Sequence, residues 1–463
     1  MVIKMDMATA LVLGFNEFGG ALLGDIRRCK RAARIAAGLI CNLGSAISSS
    51  CGGGGAQAVS RFFDCDDVTE ESVLSGHQVQ IGERCKQQKG RILVAQDTTT
   101  IDFSGRTNIY GLGPTSPNGG NGIMMHSGLV MNEQRLPIGI LGLRLWCRDA
   151  AQRGVKKLRK KRNTMEKESA KWIWGLEQVS KQLSGLGKEI VLIGDRESDM
   201  YDLFAYDRPS DVHLLVRMTE NRVVKVNDEL TKMYGALDES LVLGSYDFEV
   251  PNENRTAKLE VRSCSMVVCP PKDRKPITSN TVKMWAVEIR EVNAPEDVES
   301  LHWRLLTTLD ASSFESCRYI IACYGARWSI EEFHKTLKTG CGVERLQLES
   351  VSRLRPAIAL LSVVAQQVMY LTRYARCYPD APASCIATKE EQETVEIWVQ
   401  NNRFANYDVV NVSDYVRGIG FIGGFRGRKN DGEPGVKPIW EGLRNLANLV
   451  AGRRIERRRA AQT

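Results

Sequence analysis

Apolar and polar positions change their period several times along the chain. Residues 18–80 carry apolar positions at helical spacing, interrupted by Ser48-Ser-Ser-Cys-Gly-Gly-Gly-Gly55, whose four glycines cannot sustain a helix. Residues 91–97 and 188–195 are short apolar runs rich in β-branched residues, each ending at an aspartate, Asp97 or Asp195, as buried central strands do. Residues 212–217 form a third such run, and a helical stretch over 166–183 and the basic run 156–162 separate the first two. From 226 to 312 the pattern alternates, with turns at Pro251-Asn-Glu-Asn254 and Pro270-Pro-Lys-Asp273, and predicts a β-rich insertion. Helical periodicity returns over 313–375, broken near Pro356, before a Gly-rich and Arg-rich tail. The expected order is α, α/β, β, α, with the α/β layer resuming after the insertion. No internal repeat at solenoid spacing is found.

Composition narrows the class. The 463 residues, 43% hydrophobic and 25% charged, describe a globular chain of two to four domains and exclude disorder, collagen and pure coiled coil. An excess of 63 Lys and Arg over 55 Asp and Glu, a net +8, favours an anionic partner without identifying it. The 13 cysteines contain no CxxC pair, so no zinc site is legible and free thiols in a reducing cytoplasm are expected. Apolar stretches at 8–15 and 357–370 are too short or too interrupted, by Gln366 and Gln367, to span a bilayer. A cytoplasmic protein without membrane contact is the expectation.

The chemistry concentrates at residues 324–338. Tyr324, Arg327, Glu331, Lys335 and Lys338 follow one another by 3, 4, 4 and 3, one stripe of a helix. Ala326, Ile330, Phe333 and Leu337 step by 4, 3 and 4 along the opposite, apolar stripe. Spacing alone also describes a solvated helix with Glu/Lys support, the commoner case. Yet one carboxylate among cations suits a metal ion held beside a phosphate, the complementary needs of phosphoryl transfer. An aspartate after a strand is usually a turn residue or a cap. If the strands ending at Asp97 and Asp195 are neighbours, both carboxylates emerge at one sheet edge, and Glu331 from a helix beside it would complete a three-carboxylate site for two divalent ions. Near the start, Arg27, Lys30, Arg31 and Arg34 step by 3, 1 and 3, a cationic helix face fit for DNA or simply solvated. The run 156–162 carries the same two readings. His126 and His334 are read as packed or hydrogen-bonded imidazoles rather than catalytic groups.

Asp97 in Gln-Asp-Thr-Thr, Asp195 in Asp-Arg-Glu-Ser-Asp-Met-Tyr201, and the Tyr-x2-Arg-x3-Glu-x6-Lys pattern from Tyr324 to Lys338 together resemble the insertion-sequence-four family of DDE transposases. Leu23-Gly-Asp-Ile-Arg-Arg28, Glu166-Lys-Glu-Ser-Ala-Lys-Trp172 and Gly423-Gly-Phe-Arg-Gly-Arg-Lys-Asn-Asp-Gly-Glu-Pro-Gly435 extend the likeness over nearly the whole chain. The resemblance implies an α/β fold in which a ribonuclease-H-like catalytic core carries a β-rich insertion and is flanked by helical domains. Its implied parts are an N-terminal helical DNA-binding domain (1–80), a core in two pieces (81–225 and 313–375), the insertion (226–312) and a C-terminal dimerisation and DNA-contacting domain (376–463).

By motif, Asp97, Asp195 and Glu331 are implied to hold two Mg2+ ions, with Mn2+ as a substitute. Tyr324, Arg327, Lys338 and, less directly, Lys335 are implied to grip phosphates of the transposon end. Trp303 is implied to stack a flipped end base during hairpin formation, although core packing also explains it. Arg27, Arg28, Lys30, Arg31 and Arg34 are implied end contacts. The implied activity is cut-and-paste transposition by strand cleavage, hairpin formation and strand transfer. The implied partners are double-stranded transposon ends, target DNA and a second copy in a synaptic homodimer, in a bacterial, nucleoid-associated protein. A catalytically silent DNA-binding protein and a ribonuclease-H-like nuclease without strand transfer are the rivals. Two features depart from the family: Ile123-Met-Met125 replaces aromatics before His126-Ser127, and the basic tail from Arg453 to Arg459 has no counterpart.

Overall fold

The computed structural model describes residues 7–41, 47, 55–106, 108–116, 119–149, 164–250, 253, 255–272, 276–278, 280–402, 407–428 and 431–461. The basic run 156–162, most of the glycine loop at 48–55 and much of the two expected turns at 251–254 and 270–273 lie outside these residues. Two compact units emerge: one combines Met1–Gln87, Thr98–Arg153 and Ile330–Thr463, the other Gln88–Asp97 and Gly154–Ser329.

The chain begins with helices α1 (Met7–Phe18), α2 (Ile26–Cys41), α3 (Gly55–Phe63) and α4 (Glu70–Lys86). Strands β1 (Ile92–Asp102), β2 (Gly113–Ser116), β3 (Gly119–Asn132) and β4 (Pro137–Trp146) follow. Then come α5 (Ala170–Leu183), β5 (Ile190–Gly194), the one-turn α6 (Tyr201–Phe204) and β6 (Val212–Arg217). The next stretch holds β7 (Val223–Val226), β8 (Glu229–Lys232), α7 (Met233–Asp238), β9 (Val242–Val250), β10 (Arg255–Val268), β11 (Val282–Val292) and β12 (His302–Thr307). Helices complete the order: α8 (Phe314–Gly325), α9 (Trp328–Lys335), α10 (Val351–Cys377), α11 (Lys389–Gln400), α12 (Val412–Ile422) and α13 (Val436–Ala460).

In the unit containing residues 154–329, the strands lie in the order β1-β5-β6-β12-β11-β10-β7-β8, with β9 also on β10. The first three are parallel and the remaining pairings antiparallel. Residues 92–95 of β1 and all of β5 are buried, as continuous apolar runs under a helical layer require. Asn227 and Asp228 take positive φ in the two-residue turn between β7 and β8, a backbone state these residues tolerate. The stretch read as β-rich, 226–312, holds β8 to β12 and the short α7.

The other unit packs α4 and α10 over β4. Gly139 of β4 makes this approach possible, since a Cβ there would lie 2.4 Å from Ile81. Gly14 does the same for the α1–α2 crossing, where a Cβ would meet the Ala33 carbonyl oxygen at 2.4 Å. Helix α10 is long and apolar enough to cross a membrane, but 89% of its most apolar window is buried inside the protein, which makes it a core helix. Its two glutamines donate in place: Gln366 Nε2 to the Pro137 carbonyl at 2.9 Å and Gln367 Nε2 to Glu17 at 3.1 Å. Ile123, Met124 and Met125 are core residues.

Three local expectations change. Strand β1 does not end at Asp97 but runs on to Asp102, because Thr98 to Ile101 continue the β-branched pattern. Pro356 does not break its helix but sits in the second turn of α10, where its missing N–H costs a single ladder bond. The single helix expected over 324–338 is three pieces: α8 ends at Gly325, α9 starts at Trp328, and Thr336–Gly340 is a π-helical turn. The five polar residues therefore do not share one continuous stripe. The apolar stripe survives, with Ala326, Ile330, Phe333 and Leu337 all buried, because core packing tolerates the change of helical phase.

Candidate active site and nucleic-acid interface

In the unit containing β5 and β6, β1 and β5 pair in parallel from Ile92 with Ile190 to Ala95 with Ile193, a constant offset of 98 (190 − 92). Two residues past the last registered pair, Ala95 with Ile193, come Asp97 within β1 and Asp195 just after β5 ends at Gly194. Arg327 Nη1 lies 3.7 Å from Asp97 Oδ2. Asp195 caps the turn formed by Arg196–Ser198, its carboxylate accepting the Glu197 amide at 2.8 Å. Asp199 instead accepts the amides of Thr219 and Glu220 and pairs with Arg222.

Burial raises the Asp195 pKa and the neighbouring Glu197 charge adds to it, while Arg327 and Lys171 oppose the shift. Lys171 is almost fully buried on α5, and its Nζ meets Glu197 Oε2 at 2.7 Å. Tyr324 is buried at the end of α8, which pushes its hydroxyl pKa up, while the nearby Arg327 and Arg217 charges oppose the shift. Trp303, on β12, meets Tyr324 edge-on at 6.2 Å, and the Arg217 guanidinium lies 5.5 Å from its ring centroid. Three carboxylates, three cations and two aromatic rings are thereby linked in one neighbourhood.

Sequence reasoning overlooked Lys171 and Arg217. Lys171 had a signal, since a lysine between Ala170 and Trp172 on an apolar helix face must answer a buried charge. Arg217 ends a buried strand just as the two aspartates were expected to, so the same pattern marked it with the opposite sign.

In the other unit, Glu331 is partly buried on α9, Lys335 is exposed, and Lys338 sits in the π turn, where its charge helps hold the Asp102 carboxyl below its usual range. The Asp102 shift arises first from the Ser104 hydroxyl and amide that the carboxylate accepts. His334 is buried, 2.8 Å from Ser127 Oγ through Nε2; burial, then Lys338, pushes its pKa down to about 3. His126 Nδ1 lies 2.9 Å from Thr98 Oγ1. Both imidazoles are packed and hydrogen-bonded, as expected.

Carboxylates suit hard divalent ions, and Asp97 and Asp195 each follow a paired stretch of adjacent strands. Among the described residues, no three His, Cys, Asp or Glu side chains stand close enough together to hold a metal ion. The described cysteines are free thiols.

On α2, Arg27, Lys30 and Arg34 are exposed on one side and Arg31 is half-buried. Arg28 turns elsewhere, donating to the Leu23 carbonyl at 2.7 Å and pairing with Asp67 at 2.5 Å, and so braces the chain ahead of α4. At the far end of the chain, Arg453, Arg454 and Arg457 of α13 pair with Glu390 and Glu393 of α11. The basic tail is thus partly neutralised within the fold. Residues 15–68 match the family described as transposase DNA-binding, and residues 363–462 match the transposase Tn5 dimerisation domain.

Proposed function

The chain is a Tn5-like transposase, with a DNA-binding segment and a dimerisation segment, and from that premise we propose that it performs cut-and-paste transposition with Asp97, Asp195 and Glu331 as its acidic triad. What supports the proposal is that Asp97 and Asp195 each come two residues after the registered pair Ala95–Ile193 of two adjacent parallel strands, with Arg327 against the first. A ribonuclease-H-like core is supported by the parallel β1-β5-β6 arrangement. The domain limits proposed from the resemblance are 1–80, 81–225, 226–312, 313–375 and 376–463. Glu331 enters by its motif, four residues beyond Arg327. Two Mg2+ ions, or Mn2+ in their place, would supply Lewis-acid activation of the attacking and leaving oxygens.

The remaining roles fall to the protein's own groups. Arg327 and Lys171 offset the repulsion between neighbouring carboxylates. Tyr324, Arg217 and Arg327 form a donor surface suited to end phosphates, with Lys338 and Lys335 added by motif. The Trp303 indole offers a stacking face of about 1–3 kcal/mol to an unpaired end base during hairpin formation. The exposed cations of α2 are suited to the DNA backbone. A second copy of the chain completes the paired-end complex, and target DNA is the acceptor in strand transfer.

The rival reading is a catalytically silent DNA-binding protein. End DNA incubated with the purified protein and Mg2+ separates the two readings. Cleavage abolished in Asp97→Asn, Asp195→Asn and Glu331→Gln, with end binding retained, supports the triad. Wild-type protein that binds ends without cutting them supports the silent reading, and cutting without joining to target supports a simple nuclease.

A further inference from the structure

Helix α9 carries Glu331 but spans only the eight residues Trp328–Lys335, between a turn at Ala326 and Arg327 and the π turn Thr336–Gly340. A helix this short has little stability of its own, so the direction of Glu331 depends on what its side chains grip. Its apolar side, Ile330 and Phe333, is fully buried, but apolar burial is non-directional and tolerates small rotations. Two polar anchors restrict rotation. Glu332 pairs with Arg373 of α10. His334, three residues after Glu331 and four before Lys338, reaches β3, where its Nε2 lies 2.8 Å from Ser127 Oγ.

Ser127 is fully buried in β3, opposite Leu143 within the regular pairing of Met124–Gly128 with β4, so its backbone is a fixed point. A hydrogen bond between two buried side chains fixes both distance and angle, and leaving either partner unmatched costs about 1–3 kcal/mol. The contact lies one turn from Glu331, where a small rotation of the helix would swing the carboxylate most directly.

We infer that His334 is a positioning residue for Glu331: its hydrogen bond to Ser127 locks the rotation of α9 and so sets where the carboxylate points. The inference rests on the reading of Glu331 as a metal ligand. His334 takes no part in proton transfer, being buried and tied to a hydroxyl.

The test uses the full-length protein bound to end DNA, with Mn2+ affinity read by electron paramagnetic resonance and the Mg2+ concentration for half-maximal nicking read alongside. Ser127→Ala and His334→Ala are expected to weaken Mn2+ binding and raise the Mg2+ requirement about tenfold, the lower end for residues that orient metal ligands. End binding should stay within about twofold, because the α2 cations are untouched. His334→Gln, whose amide reaches the Nε2 position, should recover most of the loss. Ser127→Ala or His334→Ala protein with wild-type Mn2+ affinity would overturn the inference, as would a lower melting temperature with no change in metal requirement. Normal nicking by Glu331→Gln would overturn the parent reading instead, so the two failures are distinguishable.

Discussion

Glu17 is a buried acid with three polar partners. Its carboxylate is 2% exposed, receives the His77 Nδ1 proton at 2.5 Å and the Gln367 amide at 3.1 Å, and pairs with Arg84. His77 Nε2 accepts the Ile140 amide at 2.9 Å, which fixes the ring proton on Nδ1. Glu17 lies within the matched DNA-binding segment and Gln367 within the matched dimerisation segment, so one carboxylate ties the two together. Glu17→Ala would leave a guanidinium, a ring N–H and an amide short of their acceptor, at a cost of about 3–5 kcal/mol. Glu17→Gln keeps one acceptor and should cost less, about 1–3 kcal/mol.

The pH dependence is also defined. Burial by itself would raise the Glu17 pKa, but His77 and Arg84 outweigh it and hold the pKa below the ordinary value of 4.5. A depressed carboxyl pKa contributes stability that is present above the unfolded value and lost as pH falls through the folded one. Denaturant titrations of wild-type, Glu17→Ala and Glu17→Gln proteins should therefore differ fully at pH 7 and converge below about pH 4.5. Hydrogen exchange on α1 and α4 would locate the loss. A Glu17→Ala protein within about 0.5 kcal/mol of wild type would refute the reasoning, since that is the ordinary range for inconsequential surface changes.

Four further outcomes are expected. Asp195 has a raised pKa in the fold, so its ionised form destabilises the protein above the unfolded value of 3.8. Asp195→Asn without divalent ions should accordingly melt no lower than wild type at pH 7, with any advantage shrinking toward pH 4. Gly442→Ala places a Cβ 1.9 Å from the Ile419 carbonyl oxygen between α13 and α12, and should cost at least about 1–3 kcal/mol in a denaturant titration. Gly452→Ala, on the same helix with open space around it, serves as a control expected to be neutral or stabilising. Lys30→Ala and Arg34→Ala should each reduce the salt slope of end binding by about 0.9 if both touch phosphates. Trp303→Ala should impair hairpin formation more than the first nick; equal loss in both steps would contradict base stacking.

Period and punctuation made the large elements legible. The apolar runs before Asp97 and Asp195 are strands, and their adjacency follows from the parallel pairing such buried runs adopt. Buried apolar positions around Phe333 were equally visible, because one face of a helix is read from spacing alone. The break at Thr336 was not: no Pro or Gly stands at the π turn's entry, and i→i+5 bonding leaves no compositional trace. Nor could the chain reveal that Arg28 points to Asp67, 39 residues away, while Arg27 faces solvent. Glu17 and His77 are separated by 60 residues, and nothing local marks a buried acid whose partners come from other elements. Pairings of this kind are settled by tertiary packing and stay silent in any window short enough to show a period.

The threading of the chain sets a timetable for its synthesis. The unit that starts with α1 also needs residues from Ile330 onward, and α10, which roofs α4 and β4, is complete only at Cys377. A ribosome that has passed Arg153 must still add 224 residues (377 − 153) before that roof exists, an interval of about 11–45 s. Through that interval the nascent helices and strands beneath α10 lack their cover and are natural clients for chaperones. Translation stalled or truncated inside the β-rich stretch would thus release an N-terminal fragment with an unfinished core, prone to aggregation and unfit to act as a separate DNA-binding piece.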